Sequence, residues 1–482
     1  MNKPFYLTTT IPYVNAEPHI GFALEVVQAD IVARSKRLEG REVFFNAGSD
    51  EHGQKIWEKA KEAGEDPQTY VDRYAASVKR LKEELRLSYN AFVRTTDSQH
   101  KSAAQELWRR CAGAGDIYKK RYEGLYCIGC EKFLAEKDLD ENGNCPLHPA
   151  QKPVLLSEEN YFFRLSKYQA KLEQYLSDPE VIIPEHRRQE AIEFVRGGLE
   201  DFSISREKER LPWGVPVPDD AAQVMYVWFD ALTNYISTLG WPEDGNGDFQ
   251  KFWVEGETLQ MAGKDQVRFQ SIMWQAMLFS ANIPATQKVF YHGFITSGGQ
   301  RMSKSLGNVI SPFDLVKRYG IEATRYLLAR HVHPVEDTDV TFERLDEWYT
   351  ANLANGLGNQ VSRIVKLARE HVEPVEIPED ALRLEKPFTD SLDAFRFSEA
   401  MDLIWAHIGK ADGYIQETQP FKMVKSSDEK EREAGKEILR RLMVHLVRIA
   451  THLAPVMPET AEAILQAVKT NHLSAPLFPR LS

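Results

Sequence analysis

Long apolar runs are missing from this 482-residue chain, and so is any excess of positive charge. No stretch stays apolar long enough to span a bilayer. The opening Met1-Asn2-Lys3-Pro4-Phe5 enters a strand-like run at once and carries no signal-peptide pattern. Both absences point to a cytoplasmic protein with no membrane partner. Lys and Arg number 60 against 71 Asp and Glu, a formal net charge of −11. That excludes a generally basic nucleic-acid-binding surface and leaves room only for a local one. Cysteine is scarce: Cys111, Cys127, Cys130 and Cys145 are the whole set, and their spacing reads as metal binding, not as a disulfide framework. Internal repeats and low-complexity tracts are absent too.

What is present suits packed cores. Hydrophobic residues make up 43% and charged residues 27% of the chain, and the length implies about two to four domains. A strand-like run, Phe5 to Thr10, leads through Tyr13-Val14-Asn15-Ala16-Glu17-Pro18-His19-Ile20-Gly21-Phe22 into a helix-like run, Glu25 to Leu38. His-Ile-Gly at such a junction is either an ordinary turn or a nucleotide site, where glycine admits a phosphate to the backbone and the helix N-terminus favours negative charge. The continuous apolar run Val43 to Ala47 predicts a buried parallel strand. Asp50-Glu51-His52-Gly53 follows it, where open α/β sheets place ligands; the alternative for Asp50 is a helix N-cap. Residues 54–116 read as helices. Residues 117–215 alternate short strand-like pieces with charged turns and read as an insertion. Strands are predicted again over Gln223–Phe229, Leu259–Ala262 and Val289–His292, with a helix over Gln266–Ala281. From about Glu343 onward the pattern is helical.

Four constellations carry chemistry. Cys127-Ile128-Gly129-Cys130 is followed, after fourteen residues, by Cys145-Pro146-Leu147-His148. Three thiolates and one imidazole close a tetrahedral, structural Zn²⁺ site with no open position; the bland alternative is a surface His148 beside reduced thiols. Arg301-Met302-Ser303-Lys304-Ser305, in a Gly-rich loop, is either a linker or a phosphate-covering loop that brings Lys304 to a phosphoryl group. Asp265, in Gly263-Lys264-Asp265, can accept from ribose hydroxyls or cap a helix. Tyr13, Trp228, Tyr235 and Trp274 either belong to cores or together line an apolar pocket.

In combination and in order, these motifs resemble the class I aminoacyl-tRNA synthetases, and among them the methionyl family. His19-Ile20-Gly21 resembles the first class signature. Arg301 to Ser305, about 280 residues later and followed by Leu306-Gly307-Asn308, resembles the second. Tyr226 to Leu232, Asp50 to Gly53 and the cysteine cluster also match, so the resemblance spans essentially the whole chain. It implies an α/β fold: a Rossmann-like parallel-sheet catalytic domain split by a zinc-knuckle connective insertion, followed by an all-α anticodon-binding bundle. The corresponding boundaries are 1–116 and 216–295 for the catalytic halves, 117–215 for the insertion, 296–342 for the signature-loop and stem-contact region, and 343–482 for the helical domain. The implied reaction joins methionine to ATP, releases pyrophosphate, and passes methionine to the 3′ end of its tRNA. Methionine is expected on Ile11, Pro12, Tyr13, Asp50, Trp228, Tyr235, Gln270 and Trp274. ATP, with Mg²⁺, is expected on His19, Gly21, Phe22, Gly263, Asp265, Met302 and Lys304, with His19 and Lys304 catalytic. One structural zinc is expected on Cys127, Cys130, Cys145 and His148. Asn359, Arg363 and Phe421 are expected to read the CAU anticodon of tRNA(Met). No appended module follows the helical region, so a monomer is expected.

The chain departs from the family pattern at several positions. Phe22 stands where the first signature has His, Arg301 where the second has Lys, Gln270 where the methionine pocket has His, and Phe421 where a stacking Trp is usual. Leucine, isoleucine and valine enzymes carry an editing domain of roughly two hundred residues, because an apolar pocket discriminates a methylene by only about 1–3 kcal/mol. The insertion here is too short for that. A cysteine enzyme would place the metal at the amino-acid site. A non-catalytic tRNA-binding relative is favoured only by Phe22.

Overall fold

The computed structural model describes residues 3–127, 132–134, 139–146, 148, 152–302 and 307–481. Its chain falls into two compact units. The first comprises Met1–Pro18, Glu42–Arg80 and Tyr89–Tyr291; the second comprises His19–Arg41, Leu81–Ser88 and His292–Ser482.

The first unit is built on a parallel sheet in the order Ala91–Arg94, Val43–Ser49, Phe5–Thr8, Glu257–Gly263, Lys288–His292, Ile182–Ile183. Phe5–Thr8 is buried at every position and pairs on both edges, Phe5 opposite Val43 on one side and Glu257 on the other. A strand covered on both faces is mostly apolar, and the two runs, Phe5–Thr8 and Val43–Ala47, made these strands readable. Strand order reverses where Phe5–Thr8 meets Glu257–Gly263, the place where such sheets leave a crevice beyond their carboxyl ends. Ala91–Arg94 was hidden in a stretch that reads as helix. It is four residues long and is set by its neighbours: Asn90 caps it, its side-chain oxygen accepting from the Phe45 N–H at 2.9 Å.

The stretch that reads as an insertion is heterogeneous. Ile117–Cys127 and Val154–Phe163 form a long antiparallel pair flanked by Lys132–Leu134 and Phe202–Ser203. Ile182–Ile183, within the same stretch, is instead the edge strand of the main sheet. The strand expected over Gln223–Phe229 is corrected. Asp220–Met225 is a strand, but it pairs antiparallel in a small separate sheet with Ser205–Glu207 and Pro216–Val217, and Val227–Leu232 is a helix. Apolar residues in a short run do not distinguish a strand from a buried helix. The helix expected over Gln266–Ala281 is broken into a 3₁₀ turn at Lys264–Gln266, a π turn at Phe269–Met273 and an α-helix at Trp274–Ser280. The core of this unit joins Tyr6, Trp108, Phe229, Tyr235, Trp253 and Trp274.

The second unit is mainly helical. Its long members are Ile20–Leu38, Asn359–His371, Phe397–Thr418, Glu429–Leu453 and Pro458–Thr470. A small sheet adds Gln300–Arg301, Ile295–Ser297 and Thr338–Asp339. The first helix starts at Ile20, five residues before the helix-like run expected from Glu25. Arg325 is fully buried at its centre. Its guanidinium donates to the Val456, Leu85 and Pro455 carbonyls at 2.7, 2.8 and 3.1 Å and pairs with Asp30 at 2.8 Å. Asp30 also accepts from Arg34 and from the Ser88 backbone and hydroxyl. Burial alone would raise the Asp30 carboxyl, but Arg325 and Arg34 outweigh it and hold it below the usual carboxylate range. Such a pair is tolerated in a core because every lone pair has a donor.

Candidate active site

Asp50 sits just past the carboxyl end of Val43–Ser49 and is 5% exposed. It is not a helix cap; that position belongs to Gly53. Two backbone bonds fasten it to the loop after the first strand: Val14 N–H donates to the Asp50 carbonyl at 3.0 Å, and Asp50 N–H donates to Pro12 at 2.9 Å. Tyr13 and Asp50 thus form a parallel bridge. Gly48 makes the approach possible. A Cβ there would lie 2.3 Å from the Val93 carbonyl oxygen and 2.8 Å from Ile11 Cγ2. Ile11, Pro12, Tyr13 and Asp50 are therefore one local structure.

The residues after Asp50 are themselves tied down by buried polar contacts, and the sequence left them without roles. Glu51 takes a bidentate pair from Arg94 at 2.6 and 2.9 Å, plus the Ser49 hydroxyl at 2.6 Å and the Thr96 hydroxyl at 2.5 Å. Its carbonyl accepts from Trp213 Nε1 at 2.6 Å. His52 Nδ1 lies 2.6 Å from one oxygen of Asp230, and His100 Nε2 lies 2.8 Å from the other. Burial would raise the Asp230 carboxyl, yet the two imidazoles dominate and hold it at about 2. The available signal was the polar run Asp50-Glu51-His52 after a strand and the lone Asp230 inside the apolar Tyr226 to Leu232; His100 had none.

The aromatic residues converge only in part. Tyr235 and Trp274 meet edge to face, ring centroids 5.7 Å apart, and Gln270 Nε2 donates to the Tyr235 hydroxyl. Tyr6 donates to the Tyr235 carbonyl at 2.7 Å. Gln270 Oε1 and Trp274 Nε1 are buried without a protein partner; buried polar atoms of this kind are normally met by water or ligand. Trp228 stacks on Phe269, centroids 3.8 Å apart, at the neighbouring helix start. Gly263 is buried at the end of Glu257–Gly263, and Asp265 is exposed in the turn that follows.

In the second unit, His19 is the N-cap of Ile20–Leu38, and its Nδ1 accepts from Gly21 N–H at 3.1 Å. The ring occupies the space of a missing side chain, since a Cβ on Gly21 would lie 2.9 Å from His19 Cε1. An accepting Nδ1 leaves the proton on Nε2, the form that donates to an anion. Phe22 is buried at the first turn. Met302 is half-buried, and Lys304 lies outside the described residues. Asn359 and Arg363 are exposed one turn apart on Asn359–His371. Phe421 is among the few exposed large apolar side chains, at 36%. Cys111 is buried, and burial pushes its thiol up to about 12, as a core residue requires.

Cys127, Cys145 and His148 bring their ligand atoms within 4.8 Å of one another, and Cys127 Sγ lies 3.8 Å from His148 Nδ1. Ligands of a tetrahedral metal with bonds of about 2.0–2.3 Å sit at about that separation, so these residues fit a metal ion. Cys130 lies outside the described residues. Among the described residues, no helix is long and apolar enough to cross a membrane.

The family model for tRNA synthetases class I (M) matches residues 5–152 and 149–365. The methionine--tRNA ligase of Thermotoga maritima is 40% identical over 96% of this chain and 75% of its own length. That of Thermosynechococcus vestitus is 39% identical over 96% of this chain and 90% of its own. The solved structure of Mycobacterium tuberculosis methionyl-tRNA synthetase in complex with methionyl-adenylate is 36% identical and superposes with a TM-score of 0.92, covering 99% of this chain and 100% of the other. By the family model, by these relatives over most of the chain and by the superposition, the chain belongs to the methionyl-tRNA synthetase family of class I.

Proposed function

We propose that this protein activates L-methionine with ATP, releasing pyrophosphate, and transfers methionine from the adenylate to the 3′ end of its cognate tRNA. The observation that carries the reading is the buried Asp50, whose backbone is bridged to Tyr13 and which lies in the same unit as the Tyr235–Gln270–Trp274 cluster. A desolvated carboxylate recognises the methionine ammonium group. The aromatic cluster, with Ile11, Pro12 and Trp228, takes the unbranched, polarizable thioether. The methionine carboxylate then attacks the α-phosphate. No protein nucleophile is needed, and the chain contributes positioning and charge.

In the first unit, Gly263 and Asp265 serve the ribose. In the second, His19 donates through Nε2 to phosphate oxygens, Gly21 lets them approach the helix terminus, and Met302 and Lys304 complete the phosphate contacts. Phe22 offers no hydrogen bond there, so the phosphate work falls to His19 and Lys304. Mg²⁺ bound with ATP supplies charge neutralisation. Zinc on Cys127, Cys130, Cys145 and His148 is structural: it closes the insertion's knuckle and takes no part in the reaction. Asn359 and Arg363 hydrogen-bond unpaired CAU anticodon bases, and Phe421 stacks on one. The protein works as a cytoplasmic monomer. Residues 117–215, apart from the edge strand Ile182–Ile183, serve as connective insertion and 343–482 as anticodon-binding domain.

The test is ATP–pyrophosphate exchange with each of the twenty amino acids. Methionine alone should drive exchange well above background. Exchange driven by leucine, isoleucine or valine, or by none, overturns the reading.

A further inference from the structure

We infer that Asp339 is a positioning residue for adenylate formation, because it fixes the turn of the hairpin that leads into the second signature. The inference rests on the function proposed above. Ile295–Ser297 pairs antiparallel with Gln300–Arg301, Thr296 opposite Arg301, and parallel with Thr338–Asp339, Thr296 opposite Asp339. The turn between the first two is Gly298-Gly299, with φ of +65° and +72°. Two successive residues in the left-handed region make a tight hairpin turn, and glycines reach it without strain but bring no rigidity of their own.

Asp339 supplies that rigidity. Its Oδ1 accepts from Gly299 N–H at 2.7 Å and from the Thr296 hydroxyl at 3.1 Å. Arg344 holds Asp339 in turn, donating to its carbonyl at 2.8 Å with the carboxylate 3.8 Å away. Asp337 secures the start of the hairpin by accepting from Phe294 N–H at 2.9 Å. The root is fixed as well. His292 Nδ1 donates to the Gly293 carbonyl at 2.8 Å, and its Nε2 lies 2.8 Å from Glu25 Oε2, on the helix that begins after His19. Gly293 packs so tightly that a Cβ would lie 2.4 Å from the Glu336 carbonyl. Past the signature, Ile310 accepts from Ile20 N–H at 3.0 Å. The His19 helix and the chain entering and leaving the second signature are thereby tied together inside one unit. Within that frame the Gly298-Gly299 tip is the turn that Asp339 closes.

Both donors at Asp339 need an acceptor oxygen, not a charge. Asp339→Asn keeps Oδ1 and should hold the turn; Asp339→Ala should not. The experiment measures methionine-dependent ATP–pyrophosphate exchange, with kcat and both KM values, and melting temperature, for wild type and variants. Asp339→Ala should lose about 100-fold in kcat, the size of effect a misplacement of about 1 Å produces, with methionine KM within about twofold because the turn lies outside the methionine pocket. Asp339→Asn should stay within about threefold of wild type. Thr296→Val, which removes one of the two bonds, should lose about tenfold, and it decides the matter alone if Asp339→Ala does not fold. Wild-type kcat in Asp339→Ala or Thr296→Val overturns the inference. So does an Asp339→Asn loss equal to the alanine loss, or a fall in kcat matched by a rise in methionine KM. Absence of methionine-dependent exchange in the wild type overturns the functional reading and the inference with it.

Discussion

The proposed methionine pocket and the proposed anticodon face use opposite strategies. In the unit that holds Asp50, several buried polar groups are each held by a second residue: Glu51 by Arg94, Asp230 by His52 and His100, the Asp50 backbone by Pro12 and Val14. On Asn359–His371, Asn359 and Arg363 stand exposed, and Phe421 leaves about a third of its surface to solvent. A small zwitterion offers few contacts, so each must be strong, and a desolvated, preorganised site makes them so. An unpaired nucleotide offers a broad face and several edges, and donors and rings in water read it adequately.

The sharpest way to break this contrast is Asp50→Asn. Removing the buried charge should lower kcat/KM for methionine by about 1,000-fold, as truncating one member of a buried charge pair does, with little change in ATP KM. An effect below tenfold would put the ammonium group elsewhere. Arg363→Ala comes next. Losing a base contact of about 1–3 kcal/mol should reduce tRNA charging about 10- to 100-fold through tRNA KM, with exchange unchanged. A matching fall in exchange would mean that the residue supports the fold and reads nothing. The smallest effect belongs to Asp230, whose carboxyl at about 2 lies below its ordinary 3.8. Its contribution, about 2 kcal/mol, is complete above about pH 4 and is lost as pH falls through about 2. Asp230→Asn should lower stability at pH 7 by about that amount and flatten acid unfolding across this window. An unchanged acid transition would remove Asp230 from the support of the pocket.

The two regions also differ in how far the sequence disclosed them. The placement of Tyr13 and Asp50 was readable because they follow Phe5–Thr8 and Val43–Ser49, runs that pair as parallel strands, and open sheets bind ligands beyond such ends. The roles of Glu51, His52, His100 and Asp230 were not. Their meaning lies in partners up to 178 residues away, and nothing local signals such a pairing. Ala91–Arg94 and the edge strand Ile182–Ile183 were missed for the same reason: at four and two residues they are too short for a period, and pairing alone creates them. The run ending in Trp228-Phe229 looked like a strand because apolar content does not specify dihedral angles. The helical region needed no such rescue, since its 3.6-residue pattern is carried by each helix separately.

Sequence by itself determined the family, the clustering of Cys127, Cys145 and His148 and the helical character of the last third, because each follows from local arrangements of residue types. Tertiary structure alone decided that Arg94 pairs with Glu51 and that His52 and His100 meet on Asp230, that Gln270 turns its amide to Tyr235, and that Asp339 holds the Gly298-Gly299 turn. Those are contacts between segments far apart in the chain. Their strength comes from burial and from a fixed approach of donor to acceptor, and neither exists until the chain has folded.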